Sequence, residues 1–280
     1  MTFSIVATDG EAWGVAVASK FLAVGSVVPA GAAGVGAIAT QANANLAYRP
    51  DGLRLLRDGR SAQETLHTLT EADDGRAQRQ AGIVDAHGDA ATYTGDDCHD
   101  WAGGLSGDGY AIQGNILTGA DVVEVMEEAW LETDDRAPLA RRLLAALDAG
   151  DAAGGDRRGR QSAAVLVVTP GCGYGGGSDV LVDLRVDDHE QPIAELLRLL
   201  DLHDIYFGKP DPAAAVPLDG DLATEVRQRL ARLGHTGPDT AEGLDDALAD
   251  WAGVENYEER MLPGRIDPLV LDQLRAKTPR

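Results

Sequence analysis

Residues 2–19 read TFSIVATDGEAWGVAVAS, and this stretch decides the class of fold. Residues 2–8 and 13–19 are rich in β-branched and small apolar side chains, and the four residues DGEA lie between them. Because Asp-Gly between two such runs is a strong signal for a tight turn, the stretch predicts an antiparallel hairpin. The first strand begins at Thr2, so we expect the sheet to hold this residue in place.

Short strands and helices follow the hairpin as far as residue 207. Ser61 and Glu64 have the spacing of a capping box and predict a helix over 61–72. Hairpins rather than crossover helices connect the strands, so we predict an α+β fold of two stacked antiparallel sheets with helices outside. Further strands are predicted at 34–40, at 80–95 around a turn at 87–89, and at 109–114, 162–169 and 179–186; further helices are predicted at 119–132, 137–149 and 189–206.

A change of composition separates a second, smaller domain from this part of the chain. Residues 208–217 are rich in proline and alanine, as linkers often are. Three amphipathic helices are predicted beyond them, near 219–233, 240–252 and 266–276. We therefore predict a main domain over 1–207, a linker over 208–217 and a small three-helix domain over 218–280.

The charge of the chain excludes some partners. Its 280 residues carry a net charge of −22, and lysine occurs only at positions 20, 209 and 277. Such a surface repels nucleic acid and anionic membranes, so we expect neither as a partner. The surface suits a cytoplasm of high salt, where screening removes the cost of self-repulsion, and an ordinary acidic protein is the alternative.

The sequence contains no pattern typical of export or of a metal centre. The first residues lack a basic region, and no stretch reaches the roughly 20 apolar residues of a membrane helix. We therefore expect a cytoplasmic protein. Cys98 and Cys172 are not spaced as metal ligands, so we expect free thiols, no metal site and no cofactor.

Thr2 is the first candidate for chemistry. Removal of Met1 would give Thr2 a free α-amine, whose pKa of about 8 suits a general base for the neighbouring hydroxyl. Many proteins begin Met-Thr without such a role, but few hold their terminus in a strand. Lys20 ends the second predicted strand beside Thr2, where its positive charge would lower the pKa of the amine. A solvated lysine at a strand end is the alternative reading of Lys20.

Side-chain amides form a second group of candidates. Gln41 and Asn43 follow the third predicted strand, and Asn115 ends another strand just before a helix. Amides at such strand ends can stabilise an oxyanion or bind substrate. We assign the catalytic role to Asn115 and substrate binding to Gln41 and Asn43. Turn formation and helix capping are the alternatives.

The most distinctive segment is GGDRRGRQS, residues 154–162, a polar glycine-rich loop that leads into a buried strand. Asp156 is placed to orient the Thr2 amine, and Arg157 or Arg160 could bind a substrate carboxylate with two parallel hydrogen bonds. The loop lacks the spacing of a phosphate-binding loop. A β-turn with surface arginines is the alternative interpretation.

These segments resemble a known family. The stretches TFSIVA, GVAVASKFLAVGSVVPA, GVGAIATQANANLAY, QGNILTG and AGGDRRGRQSAAVLVV, with others between them, resemble the family called domain of unknown function 1028 in collinear order over residues 2–207. That family is a predicted branch of the N-terminal-nucleophile hydrolases. Residues 217–276 resemble a peptidoglycan-binding-like helical module.

The resemblance implies a four-layer αββα sandwich of two antiparallel sheets and hydrolysis of an amide or related C–N bond of a small molecule, with Thr2 as nucleophile. It supplies no substrate. A non-catalytic protein that uses the same scaffold to bind a metabolite or assemble with a partner is the alternative. We expect a homo-oligomer, and for the C-terminal module a docking or oligomer-contact role.

Overall fold

The computed structural model describes residues 2–279 of the chain. The chain divides into two compact units, Met1–Leu199 and Leu200–Arg280, and the division falls within the helix Pro192–Phe207. The domain boundaries that we placed around 208–217 stay a prediction.

The first unit contains two antiparallel sheets. Within the described residues its strands are β1 (Thr2–Thr8), β2 (Trp13–Ser19), β3 (Pro29–Ala32), β4 (Gly36–Ala42), β5 (Arg79–Asp85), β6 (Ala90–Thr94), β7 (Gly103–Gly107), β8 (Tyr110–Asn115), β9 (Ser162–Val168) and β10 (Val180–Val186). The larger sheet has the order β10-β9-β2-β1-β8-β7 and the smaller one β3-β4-β5-β6. The predicted hairpin is present, since β1 pairs with β2 from Phe3↔Ala18 to Thr8↔Trp13. The α+β class with two antiparallel sheets is thereby confirmed.

Helices pack on both sheets. The helices within this unit are α1 (Tyr48–Arg57), α2 (Ala62–Glu71), α3 (Asp121–Glu132) and α4 (Leu139–Ala152); α5 (Pro192–Phe207) begins in this unit and ends in the second. The capping box of α2 is formed, with Ser61 Oγ accepting from Glu64 N at 3.2 Å and Glu64 Oε2 accepting from Ser61 N at 3.1 Å. No helix within residues 2–279 is both long enough and apolar enough to cross a membrane.

Apolar contacts join these elements. Ile38 and Ile83 of the smaller sheet pack with Tyr48 of α1 and Leu66 of α2. On the larger sheet α4 lies so close to β2 that a side chain at Gly14 would place its Cβ 2.6 Å from Leu143. The two sheets meet through small side chains, among them Val15 and Val17 of β2 and Ala37 and Ala39 of β4.

Among the strands and α-helices described in the first unit, β3, β7 and α1 were absent from the prediction. The strand β7 reads GGLSG and has no apolar alternation. The helix α1 contains Pro50 and Gly52, which are signals against a helix. Pro50 is tolerated because it lies in the first turn, where its backbone nitrogen needs no partner. Gly52 leaves room for the Ile38 side chain, because a Cβ there would lie 2.5 Å from Ile38 Cδ1.

The second unit is small and mainly helical. Its helices are α6 (Gly220–Arg232), α7 (Ala241–Glu255) and α8 (Pro268–Lys277), close to the three that we predicted. Trp251 lies in its core with Leu230 and Leu274, and Arg260 forms a buried ion pair with Asp267 at 3.0 Å. The predicted linker 208–217 ends in a short strand, because β11 (Val216–Pro217) pairs with β12 (Arg265–Ile266).

A charged cluster in the first unit fastens the loop that follows β4. The Asp73 carboxylate accepts hydrogen bonds from Arg79 Nε at 2.9 Å, Asn45 Nδ2 at 2.9 Å and the Tyr48 hydroxyl at 3.0 Å. Arg79 also donates to the backbone oxygen of Asn43 at 2.6 Å. The hydrogen bond from Arg79 holds the pKa of Asp73 well below its usual range. Burial, and to a smaller extent the hydrogen bond to Asp73, raise the pKa of Tyr48.

We predict that Asp73→Asn lowers the free energy of unfolding by about 2 kcal/mol at pH 7, because it removes the charge that three donors share. A carboxyl group with a lowered pKa in the folded state stabilises the fold above its unfolded pKa of about 4, and this contribution disappears as the pH falls. The difference between the variant and the wild type should therefore shrink between about pH 5 and pH 2. Urea unfolding at a series of pH values measures it.

The matched control for this prediction is Asp51→Asn. Asp51 pairs with Arg54 at 3.5 Å, but both side chains are more than half exposed. An exposed pair contributes about 0.5 kcal/mol or less, so this variant should differ little from the wild type at any pH. An equal loss in both variants would contradict the assignment.

Candidate functional site

Four polar side chains lie in one row across the larger sheet. Thr2 is the register partner of Asn115, and Ser19 is the partner of Ser162. The hairpin places the first residue of β1 beside the last residue of β2, so Thr2 Oγ1 lies 3.1 Å from Ser19 Oγ. Thr2 is 6% exposed, and its neighbours in the row are more deeply buried. The register of β8, β1 and β2 therefore places Thr2 between the amide of Asn115 and the hydroxyl of Ser19.

The backbone of Thr2 is held by two side-chain amides. Gln41 Nε2 and Asn115 Nδ2 lie 3.4 and 3.5 Å from the Thr2 carbonyl oxygen, which are long hydrogen bonds. Each of these amides also donates to Gln80 Oε1 at 2.9 Å. Because Gln41 and Gln80 belong to the smaller sheet, these bonds connect the two sheets at Thr2.

The polar network continues beneath Thr2. Ser4 Oγ donates to Gln41 Oε1 at 2.6 Å and accepts from Gln113 Nε2 at 2.7 Å. Gln80 Nε2 donates to Thr94 Oγ1 and to backbone oxygens of β7 and β8. Gly82 leaves space for Gln113, because a Cβ there would lie 2.0 Å from Gln113 Oε1. The network is buried, so each bond compensates for the removal of a polar group from water.

The sequence analysis missed several members of this network. Ser19, Gln80 and Gln113 are essential to it and were not among the candidates. A signal was present, because Gln80 and Gln113 are long amides beside the small and apolar inner residues of β5 and β8. Such amides need buried partners, although the sequence does not say which ones.

Asn115 and Gln41 both contact Thr2. Both hydrogens of the Asn115 amide are engaged in this structure, one with Thr2 and one with Gln80. The amide thus positions Thr2, and an oxyanion would have to replace one of the two acceptors. Gln41 likewise binds protein groups. The oxyanion role of Asn115 and the substrate-binding role of Gln41 stay predictions.

Asp156 and Lys20 meet next to Ser19, through the backbone of Lys20. The Asp156 carboxylate accepts from Lys20 N at 2.8 Å and from Arg158 N at 2.9 Å. The Lys20 ammonium donates to the backbone oxygen of Arg160 at 3.1 Å. These bonds fasten the glycine-rich loop to the end of β2. The predicted effects of Asp156 and Lys20 on the Thr2 amine stay predictions, and Met1 lies outside the described residues.

The remaining candidates differ in their availability to a ligand. Arg160 binds both carboxylate oxygens of Asp151, at 2.9 and 2.7 Å, and this bond raises the pKa of Arg160. Asn43 donates to Gln78 Oε1 at 2.9 Å at the surface. Arg157 is exposed, and its backbone N–H donates to Ile116 O beside Asn115 at 3.4 Å. Of the two candidate arginines, Arg157 is the better placed for a carboxylate.

The two cysteines and the possible metal ligands lie outside the row. Cys98 donates weakly to the backbone oxygen of Arg79 at 3.3 Å, and burial raises the pKa of its thiol. Cys172 is exposed, and both thiols are free. Among residues 2–279, no three His, Cys, Asp or Glu side chains are grouped so that they could hold a metal ion.

Comparison with known proteins identifies the family. The model of the family of unknown function DUF1028 matches residues 2–196. The chain belongs to the DUF1028 family. The crystal structure of a DUF1028 protein from Silicibacter pomeroyi is 34% identical, with a TM-score of 0.65, and the match covers 81% of this chain and 94% of that one.

Other comparisons concern the C-terminal unit and more distant structures. Residues 206–274 of this DUF1028 protein match a family described as "Putative peptidoglycan binding domain". Anbu (ancestral beta-subunit) from Yersinia bercovieri is 12% identical with a TM-score of 0.34, over 71% of this chain and 93% of that one. A search of the curated proteins finds no match.

We predict that Gln80→Met lowers the free energy of unfolding by about 3 kcal/mol, because it leaves several buried donors and acceptors without partners. Methionine has a similar volume, so the loss reports hydrogen bonding rather than a cavity. Urea unfolding measures the change. Gln78→Met is the control, because Gln78 is exposed and bonds only at the surface. Similar stabilities of the two variants would show that the network contributes little.

Proposed function

We propose that this DUF1028 protein is an N-terminal-nucleophile hydrolase that cleaves an amide or related C–N bond of a small molecule, with Thr2 as nucleophile. The observation that carries the proposal is the position of Thr2. It is the first residue of a central strand, its hydroxyl contacts Ser19, and two amides from different sheets hold its carbonyl. Such preorganisation is what a nucleophile needs and an ordinary terminus lacks.

The reaction requires that processing make Thr2 the first residue. Its α-amine, with a pKa of about 8, then accepts the hydroxyl proton as Oγ1 attacks the carbonyl carbon of the substrate. The C–N bond breaks, the proton passes to the departing amine, and the acyl group stays on Oγ1 as an ester. Water hydrolyses this ester with the α-amine again as base. Ser19 orients the Thr2 hydroxyl, and an exposed Arg157 is available for a substrate carboxylate.

The packing of the first unit supports the same proposal. Helices α1 and α2 contact the smaller sheet, α3 and α4 contact the larger one, and the two sheets contact each other. This succession of contacts is what we expect of the αββα layering that the sequence resemblance implies. In that arrangement Thr2 lies where the two sheets meet.

The alternative proposal is a non-catalytic protein that binds a small metabolite or assembles with a partner. The observation that favours it is the closure of the network, in which the amides of Gln41 and Asn115 are bonded to protein groups. In this alternative the two amides only stabilise the fold, and Thr2 needs no free amine.

For the C-terminal unit we infer a docking role. The unit has a cavity of about 220 Å³ between α6 and α7, and the residues that line it include Leu230, Leu244, Arg227 and His235. We expect a cytoplasmic, salt-adapted protein, and such a protein meets no cell wall. We therefore propose that this unit contacts protein rather than peptidoglycan.

We predict that purified protein lacks Met1 and that a small β-lactone, whose strained ester acylates activated hydroxyls, modifies Thr2. Intact mass measurement detects processing and the adduct, and peptide mapping locates the adduct. Thr2→Ser should retain the reaction. Thr2→Ala should slow it by at least about a thousandfold, because no other group replaces the nucleophile.

Thr8→Ala is the matched control, since Thr8 is a buried threonine at the other end of β1. This variant should react as the wild type does. Retention of Met1 would overturn the self-activated mechanism, because Thr2 would then have no free amine. A processed protein whose wild type and Thr2→Ala forms react alike would favour the non-catalytic alternative.

A further inference from the structure

The strand β10 forms one edge of the larger sheet, and within the described residues only β9 pairs with it. Backbone groups in an antiparallel ladder point alternately to the two sides of a strand. Thr8 N donates to Gly109 O at 2.9 Å, so the even-numbered residues of β1 bond to β8 and the odd-numbered ones to β2. The residue pairs between β1 and β2, between β2 and β9, and between β9 and β10 extend this alternation across the sheet. The backbone N–H and C=O groups of the even-numbered residues of β10 therefore point toward β9.

The backbone groups of Asp183 and Arg185 therefore point outward from the sheet edge. Unsatisfied edge groups of this kind are a template for pairing with another strand. The strand runs from Val182 to Val186 in regular register with β9, after an irregularity at its start. This regular part of the strand thus has outward N–H and C=O groups at two alternate residues.

The side chains of the same strand have a self-complementary order. Val182 and Val186 are buried on one face, with Leu184 between them. Asp183 and Arg185 are exposed on the other face and form an ion pair within the strand, with Arg185 Nε 3.0 Å from Asp183 Oδ1. Apolar residues and opposite charges are therefore arranged symmetrically about Leu184.

We propose that β10 pairs antiparallel with β10 of a second copy of this chain, about a two-fold axis at Leu184. In this register Asp183 lies opposite Arg185 of the other copy, Val182 lies opposite Val186, and Leu184 lies opposite its own equivalent. The two six-stranded sheets become one continuous sheet. A two-fold contact of this kind is closed, so it gives a dimer and not a fibre.

Charge selects this register over its neighbours. Shifting the axis to Asp183 would place two Asp183 carboxylates opposite each other, and shifting it to Arg185 would do the same with two guanidinium groups. Like charges directly opposite are destabilising, whereas opposite charges contribute favourably. The Asp183–Arg185 pair thus specifies how the two copies meet.

The net charge of −22 opposes this dimer at low salt. Repulsion between whole chains acts over distances that salt screens, while the ion pairs across β10 act at contact. We therefore expect the dimer to be favoured when KCl is raised from about 0.05 M to about 0.5 M, where the Debye length is about 4 Å.

The test is a charge exchange at Asp183 and Arg185, read by light scattering and native mass spectrometry at about 0.5 M KCl. The wild type should have twice its chain mass of 29.3 kDa. Asp183→Arg alone and Arg185→Asp alone should each raise the Kd of the dimer at least about tenfold, because both symmetry-related pairs become like-charged. The double variant D183R/R185D should restore it. A mixture of the two single variants should form heterodimers, since the opposite charges then face each other.

The matched control is Asp134→Arg, which disrupts an exposed Asp134–Arg136 pair of the same spacing outside the sheet. This variant should dimerise as the wild type does, and circular dichroism should show all variants folded. A wild type that is monomeric at about 100 μM would overturn the proposal, because this concentration is far above the Kd expected of a specific interface. A dimer that both single variants leave unchanged, or that the double variant fails to restore, would also overturn it. None of these outcomes depends on whether Thr2 is catalytic.

Discussion

The register of β1 between β2 and β8 is the constraint on which the candidate site depends. Side chains alternate along a strand, so a shift of one residue would turn Thr2 and Ser4 away from the smaller sheet and bring Phe3 into their place. The apolar core opposes such a shift, because Phe3, Ile5 and Ala7 are fully buried on the other face. The hydrophobic pattern that builds the sheet therefore also fixes the position of the Thr2 hydroxyl.

The amide network adds direction to this constraint. Apolar contacts between the sheets would tolerate small displacements, whereas hydrogen bonds from Gln41 and Asn115 to one acceptor on Gln80 require a single arrangement. Burial raises the cost of leaving any of these amides without a partner. At Thr2, hydrogen bonds thus replace part of the apolar contact between the two sheets, and they fix the position of one sheet relative to the other.

The sequence predicted the parts of the structure that local patterns determine. The turn at Asp9-Gly10 and the capping box at Ser61 are local, and both formed. The strand β7 was missed because its glycines are explained by neighbours that are distant in sequence: a Cβ at Gly104 would lie 2.6 Å from the backbone oxygen of Ile112 and 2.8 Å from Thr92 Oγ1. Gln80 was missed for a similar reason. Its function depends on Gln41 and Asn115, which come from strands that only the folded sheets bring together.

The symmetry of the proposed dimer also bears on the site. The row of Asn115, Thr2, Ser19 and Ser162 crosses the larger sheet at the strand ends where β9 begins, beyond the Val186 end of β10. Antiparallel pairing about Leu184 places that end of one copy beside the Val182 end of the other. The rows of the two copies would then lie at opposite strand ends of the continuous sheet, so neither copy would complete the site of the other. Dimerisation and catalysis can therefore be lost separately, and each proposal stands or falls on its own residues.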